Sequence, residues 1–101
     1  MGVISRKPVS GAQFGLAVSN VAAGVTLTVP DAAKVAEIYV RTAAIVFTRD
    51  GTAPTASRGF QANAADTIIL NSEAECTSFK CIRATGDDAA LDIEYFRDVS
   101  G

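Results

Sequence analysis

Apolar and polar residues alternate near the end of the chain, in the segment 90–96. The apolar positions are Leu91, Ile93 and Tyr95, and the acidic residues between them are Asp92 and Glu94. A period of two is typical of a β-strand with one buried and one solvent-facing side. Another apolar segment precedes it at 78–84, and the glycine and paired aspartates between the two segments are turn formers. We therefore predict an antiparallel hairpin made of these two segments.

The register of this hairpin follows from which side chains would lie opposite each other. A four-residue loop at 86–89 pairs like with like on both faces, whereas a three-residue loop sets charged residues against apolar ones. The longer loop predicts the pairs Ile82–Ile93 and Ala84–Leu91 in the core, and the pairs Arg83–Asp92 and Phe79–Phe96 on the wetter face, together with Cys81. Because two phenylalanines there would form an apolar patch, we predict that the four residues of these last two pairs contact another chain.

Five further segments have the composition of strands, at 14–18, 25–29, 35–41, 45–48 and 67–71. Val and Thr alternate strictly in the second of them, which ends at Pro30 because proline cannot donate to a ladder. In the third, the residues expected on the buried side are Ala36, Ile38 and Val40. Residues 42–44 are predicted to turn, which makes the fourth segment the hairpin partner of the third.

Polar stretches separate these strands. Residues 31–34 are predicted to form one helical turn at most, with Asp31 as its N-cap. The dipeptide Asp50-Gly51 is a strong turn signal, and 71–75 is predicted to be an exposed connection.

Six or seven short strands at fairly even spacing predict an all-β fold. We expect a small antiparallel β-sandwich or a jelly-roll-like barrel. The length of 101 residues suits one domain, which we place at 14–101. Residues 1–13 have little periodicity and are predicted to form an extended N-terminal arm.

The charge balance bears on the choice of partner. The chain has 9 Lys and Arg against 11 Asp and Glu, a formal net charge of −2 at pH 7, which argues against nucleic acid. Basic and aromatic residues do mix at Arg41, Phe47, Arg49, Arg58 and Phe60, as on single-strand-binding surfaces, but the acidic balance outweighs this pattern. No apolar run is long enough to span a bilayer, and a signal-peptide segment is not indicated. We therefore expect neither a nucleic-acid nor a membrane partner.

No combination of residues predicts catalysis. The chain has no histidine, and no Ser-x-x-Lys spacing offers a lysine as base. Cys76 and Cys81 are too few for a structural zinc site and are expected to be reduced, partly buried thiols. Asp87 and Asp88 are expected to be solvated turn residues rather than a catalytic or calcium-binding pair. We predict no enzymatic activity, no cofactor and no metal.

Three segments resemble a group of small structural proteins of tailed-bacteriophage virions. They are 47–59, which contains Asp50-Gly51-Thr52-Ala53-Pro54-Thr55, then 79–86 and the closing 93–96. The nearest functional class is the capsid cement, or decoration, protein. The resemblance spans residues 35–96, and Arg49 departs from it because the group often has a second acidic residue there. It implies a virion protein on the capsid surface, assembled in the host cytoplasm, that binds at capsomer junctions. Its partners would be the major capsid protein and copies of itself.

An extended N-terminal arm suits such a role, since it can reach across a subunit boundary and become ordered on contact. Arg6 and Lys7 form the only adjacent basic pair of the chain and are candidate contacts, although a frayed terminus is the simpler alternative. The rival interpretation is a receptor- or glycan-binding module of a tail or fibre. It predicts an exposed aromatic platform made by Tyr39, Phe47 and Phe60.

Overall fold

The computed structural model describes the backbone of residues 4–100 and the side chains of residues 7–97. Within this range the chain forms seven strands and one short helix. In chain order they are β1 (Ile4–Val18), β2 (Val35–Arg41), β3 (Ile45–Thr48), β4 (Phe60–Ala62), β5 (Thr67–Leu70), α1 (Glu73–Ser78), β6 (Lys80–Arg83) and β7 (Ala89–Ser100). The prediction of an all-β fold is confirmed.

The strands form two antiparallel sheets that share one core. The larger sheet has the order β1-β7-β2-β5, and the smaller one has the order β4-β3-β6. Buried side chains of both sheets belong to a single hydrophobic cluster. Its largest fully buried members are Tyr95, Phe79, Ile38, Ile45, Leu70, Leu91 and Ile93. The molecule is therefore an antiparallel β-sandwich, the first of the two predicted architectures.

β2 has the predicted bounds and the predicted buried side. Ala36, Ile38 and Val40 are fully buried, and Ile38 lies opposite Ile93 of β7 and Ile68 of β5. Apolar side chains of three adjacent strands therefore meet in one row. This row fixes the register, because a slip by one residue would turn the whole set toward solvent.

The predicted C-terminal hairpin is wrong, because its two arms belong to different sheets. β6 pairs with β3, where Ile82 lies opposite Val46, whereas β7 pairs with β1 and β2. Arg83 is therefore not opposite Asp92, and the other predicted pairs are absent as well. β7 has 12 residues and β6 has four, so the long pairings of β7 outweigh the local turn signal.

The predicted hairpin of β2 and β3 is also wrong. Residues 42–44 do not return the chain along β2 but lead it from the larger sheet into the smaller one. Thr42 has a φ of 79°, which is uncommon for a β-branched residue, and the N–H of Ala43 donates to the carbonyl of Arg41 at 2.9 Å. This tight turn separates two strands that pair with other partners.

The segment 25–29 keeps the predicted alternation but is not a strand. Val25, Leu27 and Val29 pack against the core, and the two threonines between them are exposed. Only Val25 makes a β-bridge, to Cys81, and the N–H of Thr28 donates to a side chain instead. Alternating burial therefore arises here without the hydrogen bonds of a ladder.

A short helix occupies most of the predicted exposed connection. Ser72 is its N-cap, with a side-chain oxygen that accepts the N–H of Glu75 at 3.1 Å. The helix buries Cys76. A cap followed three residues later by Glu is a known signal for a helix start, which the strand-based interpretation overlooked.

β1 and β7 form the longest strand pair of the molecule. Their register shifts between Val9 and Gln13 and again between Gln13 and Leu16. Gly11 and Gly15, with φ of 115° and 69°, provide the left-handed backbone that these irregularities require. Residues 4–13, part of the predicted arm, lie in this strand, and the division of the chain into an arm and a domain stays a prediction.

The end of this pair extends beyond the rest of the larger sheet. β2 reaches only as far as Phe96, so residues 97–100 pair with residues 4–7 alone. We call these two segments the ribbon. The molecule measures 47 × 23 × 22 Å along its principal axes, and the β1–β7 pair accounts for this elongation, since a strand rises about 3.3 Å per residue.

Candidate functional site

Phe79 does not lie on a surface patch. It is fully buried in the core, where its ring stacks on that of Phe47 with centroids 5.7 Å apart. The predicted face assignment of Phe79 is therefore wrong, and so is that of Cys81, which is also fully buried. The cause is the incorrect hairpin, because the sheet to which β6 belongs turns this side of the strand toward the core.

The other predicted contact residues do not form one patch either. Arg83 pairs with Asp88 at 2.6 Å, whereas Asp92 pairs with Arg41 on the larger sheet. Phe96 is half-buried on β7, opposite Val35. The two members of each predicted pair are thus separated. Arg83 and Asp92 lie in different sheets, and Phe79 is buried in the core whereas Phe96 is half-buried on β7.

Lys7 lies on the ribbon, directly opposite Arg97. Both side chains are exposed, and neither has an ion-pair partner among residues 7–97. Arg6 also belongs to the ribbon by its backbone, while its side chain lies outside the described range. Like charges directly opposite each other destabilise a strand pair, so an anionic group near Lys7 and Arg97 would relieve their repulsion. The ribbon also carries Asp98, opposite Arg6.

The aromatic platform expected for a glycan-binding module is not formed. Phe47 is buried, Tyr39 lies on the larger sheet and Phe60 on the smaller one. The structure instead shows two separate surfaces that each combine charged and aromatic side chains.

The first of these surfaces lies on the outer side of the larger sheet. We call it the acidic face and define it by Phe14, Glu37, Tyr39 and Glu94, which line a cavity of about 440 Å³. Glu37 of β2 lies directly opposite Glu94 of β7. Neither carboxylate has an ion-pair partner within the described side chains. Phe14 is 79% exposed.

Asp92 borders this face, but its charge is already compensated. Its Oδ1 accepts the backbone N–H of Gly15 at 2.9 Å, and its Oδ2 accepts a hydrogen bond from Nε of Arg41. The Gly15 N–H first, and then Arg41, lower the pKa of Asp92, and the hydrogen bond to Asp92 raises the pKa of Arg41. The guanidinium carbon of Arg41 lies 5.0 Å from the ring centroid of Tyr39, a cation–π contact.

The second surface lies beside β3 and β4. We call it the basic pocket and define it by Arg49, Arg58 and Phe60, which line a cavity of about 540 Å³. Phe60 is 62% exposed; its ring lies 6.1 Å from that of Phe47 and 6.0 Å from the guanidinium carbon of Arg49. In the part of the chain whose side chains are described, neither arginine forms an ion pair.

Two carboxylates also line the basic pocket, and each is held by a backbone N–H. Asp50 accepts the N–H of Thr52 at 3.0 Å, which lowers its pKa. Glu75 accepts the N–H of Asn71 at 3.0 Å. Both carboxylates keep their charge in the pocket, but neither forms an ion pair with the arginines in the described side chains.

Gly59 shapes the wall of the basic pocket. Its φ is 128°, and a Cβ built there would lie 2.7 Å from Cγ1 of Val46 and 2.9 Å from the carbonyl oxygen of Phe47. Only glycine therefore brings the chain close enough to β3 to begin β4 at Phe60.

The described residues include two free cysteines, both of them buried. Burial raises the pKa of Cys81 to about 12 and raises that of Cys76 as well, so both free cysteines are thiols at neutral pH. Among the residues described, no group of three or more His, Cys, Asp or Glu side chains is arranged to hold a metal ion. Likewise, no helix in this part of the chain is long and apolar enough to cross a membrane.

The sequence contained part of the signal for these surfaces. Arg49, Arg58 and Phe60 belong to the mixed basic and aromatic stretch noted above, and the structure brings these three together while placing Arg41 on the other sheet. The acidic face was missed, because Glu37 and Glu94 become neighbours only when β2 pairs with β7.

Comparisons with protein-family models, curated proteins and solved structures found no match to this chain.

Proposed function

We propose that this protein is a non-enzymatic structural component of a tailed-bacteriophage virion, which binds the capsid as a cement or decoration protein. The observation that carries the proposal is the ribbon, a two-stranded extension of a compact β-sandwich with two exposed cations at its base that form no ion pair among residues 7–97. A projection of this kind can reach from one capsid subunit to the next. The sandwich then adds area to the junction between them.

The ribbon offers charged side chains for contact with a partner. β1 lies at the edge of the larger sheet, and Pro8, directly after the ribbon segment 4–7, has no backbone N–H to donate along this edge. Lys7 and Arg97 lie side by side and are both exposed. An acidic patch of the major capsid protein would relieve the repulsion between them. Each such contact is modest, but many symmetric copies on one capsid would act together.

A binding assay with phage heads that lack this protein tests the proposal. The purified chain is added to such heads, and bound protein is measured after sedimentation together with the temperature at which the heads release DNA. We expect saturable binding and a higher release temperature. Lys7→Glu should weaken binding about tenfold, because it opposes an anionic partner at close range.

Lys80→Glu is the matched control, since Lys80 is also a lysine but belongs to β6 of the smaller sheet rather than to the ribbon. It should bind like the wild type. Equal loss in both variants would show a nonspecific charge effect. Absence of binding by the wild-type chain, or binding to isolated tails alone, would contradict the capsid role.

A further inference from the structure

The acidic face and the basic pocket carry groups of opposite charge that form no ion pair among the described side chains, and both surfaces have exposed aromatic rings. One offers two carboxylates beside Phe14 and Tyr39, and the other offers two guanidinium groups beside Phe60. Arginine and carboxylate pair in a bidentate geometry, and aromatic side chains favour the centre of interfaces. The two carboxylates of the acidic face can therefore pair with the two guanidinium groups of the basic pocket.

The acidic face has an unbalanced charge within one molecule. Glu37 and Glu94 face each other across β2 and β7, and the nearby Arg41 is already paired with Asp92. No cation of the described side chains is therefore left to separate the two carboxylates. An incoming guanidinium group would remove a like-charge repulsion as well as form an ion pair.

The basic pocket holds two arginines without an ion-pair partner. Arg49 and Arg58 form no ion pair among residues 7–97, and Asp50 and Glu75, which line the same pocket, each accept a backbone N–H instead. Phe60 exposes most of its ring in this pocket. The centroid of the ring lies 6.1 Å from that of Phe47, and its exposed side offers an apolar contact.

The two surfaces cannot meet within one molecule, because they lie on different sheets of the sandwich. We propose that the acidic face of one copy binds the basic pocket of the next, in a head-to-tail contact between two copies of this chain. Such a contact uses two different patches and leaves one of each free, so it continues from copy to copy until a ring closes. The inference rests on the proposed structural role, which requires a repeating part, but it concerns surfaces apart from the ribbon.

Two neutral variants test the contact with the full chain in solution. Arg49→Gln/Arg58→Gln removes the charge of the basic pocket, and Glu37→Gln/Glu94→Gln removes that of the acidic face. Sedimentation velocity over a concentration series should show self-association of the wild type, with at least a tenfold weaker association for each variant. An equimolar mixture of the two variants should form a 1:1 heterodimer and nothing larger, because each retains one of the two surfaces.

Three outcomes would overturn the proposal: a wild type that stays monomeric throughout, variants that associate as the wild type does, or a mixture that remains monomeric. Circular dichroism of each variant establishes that it is folded. Lys7→Gln/Arg97→Gln is the matched control, since it also removes two charges but on the ribbon, and it should self-associate like the wild type. Loss of capsid binding in this control with self-association intact would separate the two proposals.

Discussion

The carboxylate of Asp92 accepts the backbone N–H of Gly15 at 2.9 Å, across 77 positions of the chain. Gly15 lies in the irregular part of β1, where the ladder to β7 shifts its register. The side chain thus replaces a contact that the regular ladder does not provide there. It also holds Arg41 of β2, so one carboxylate connects three adjacent strands of the larger sheet.

This arrangement predicts that Asp92 stabilises the fold only when it is ionised. Its pKa lies below the ordinary value of 3.8, first because of the Gly15 N–H, so its contribution is complete above pH 3.8 and is lost as the pH falls through the lower, folded-state pKa. Asp92→Asn should have a lower Tm than the wild type at neutral pH. Thermal unfolding across acid pH should show the difference closing below pH 3.8, and a constant difference would contradict the role of the charge.

Burial of Cys81 predicts a loss of stability in alkali. The thiol has an ordinary pKa of 9.0 and a pKa of about 12 in the folded protein, so the unfolded chain loses this proton first. The free energy of unfolding should therefore fall by about 1.4 kcal/mol per pH unit above pH 9. Tyr95, whose pKa burial also raises from 10.0 to about 12, adds to the loss above pH 10.

Cys81→Ala separates this effect from the other titrating groups. Urea unfolding under reducing conditions should give a shallower pH dependence between pH 9 and 10 for the variant than for the wild type. The same slope in both proteins would show that another group controls alkaline stability.

Phe79 and Phe60 predict opposite outcomes for the same substitution. Phe79→Ala should lower the free energy of unfolding by about 3–5 kcal/mol, because it leaves a cavity in the core beside Phe47. Phe60→Ala removes a largely exposed ring and should cost less than about 1 kcal/mol, while it weakens self-association. Similar unfolding free energies for the two variants would contradict the burial described here.

Much of the fold is visible in the sequence where a strand is defined by its own alternation. β2 is found with its bounds and buried side because Ala36, Ile38 and Val40 repeat without interruption. Strand pairing is not visible in this way, since the turn at 84–88 suggests a hairpin while the longer partners of β7 lie far away in the chain. The same limit applies to the two candidate surfaces. The arginines and Phe60 of the basic pocket lie close together in the sequence, at 49–60, whereas the acidic face forms only when distant strands pair.

Adding a methyl group at Gly59 should lower the free energy of unfolding, whereas the same change at Gly86 should not. Gly59→Ala places a Cβ against Val46 and a backbone carbonyl at a φ of 128°, and should destabilise the protein by about 1–3 kcal/mol. Gly86→Ala is the matched control, because a Cβ there meets nothing within 4 Å, and its effect should stay within about 0.5 kcal/mol. Equal effects in chemical denaturation would mean that β4 does not depend on this close approach.

The location of the protein in its particle is the decisive test of the proposed capsid role. We would determine the structure, by electron cryomicroscopy, of the phage particle whose genome encodes this chain. We expect density for a β-sandwich 47 Å long at junctions between capsomers, with the ribbon against the major capsid protein. Density for the chain in the tail or fibres alone, or its absence from the particle, would contradict the proposed function.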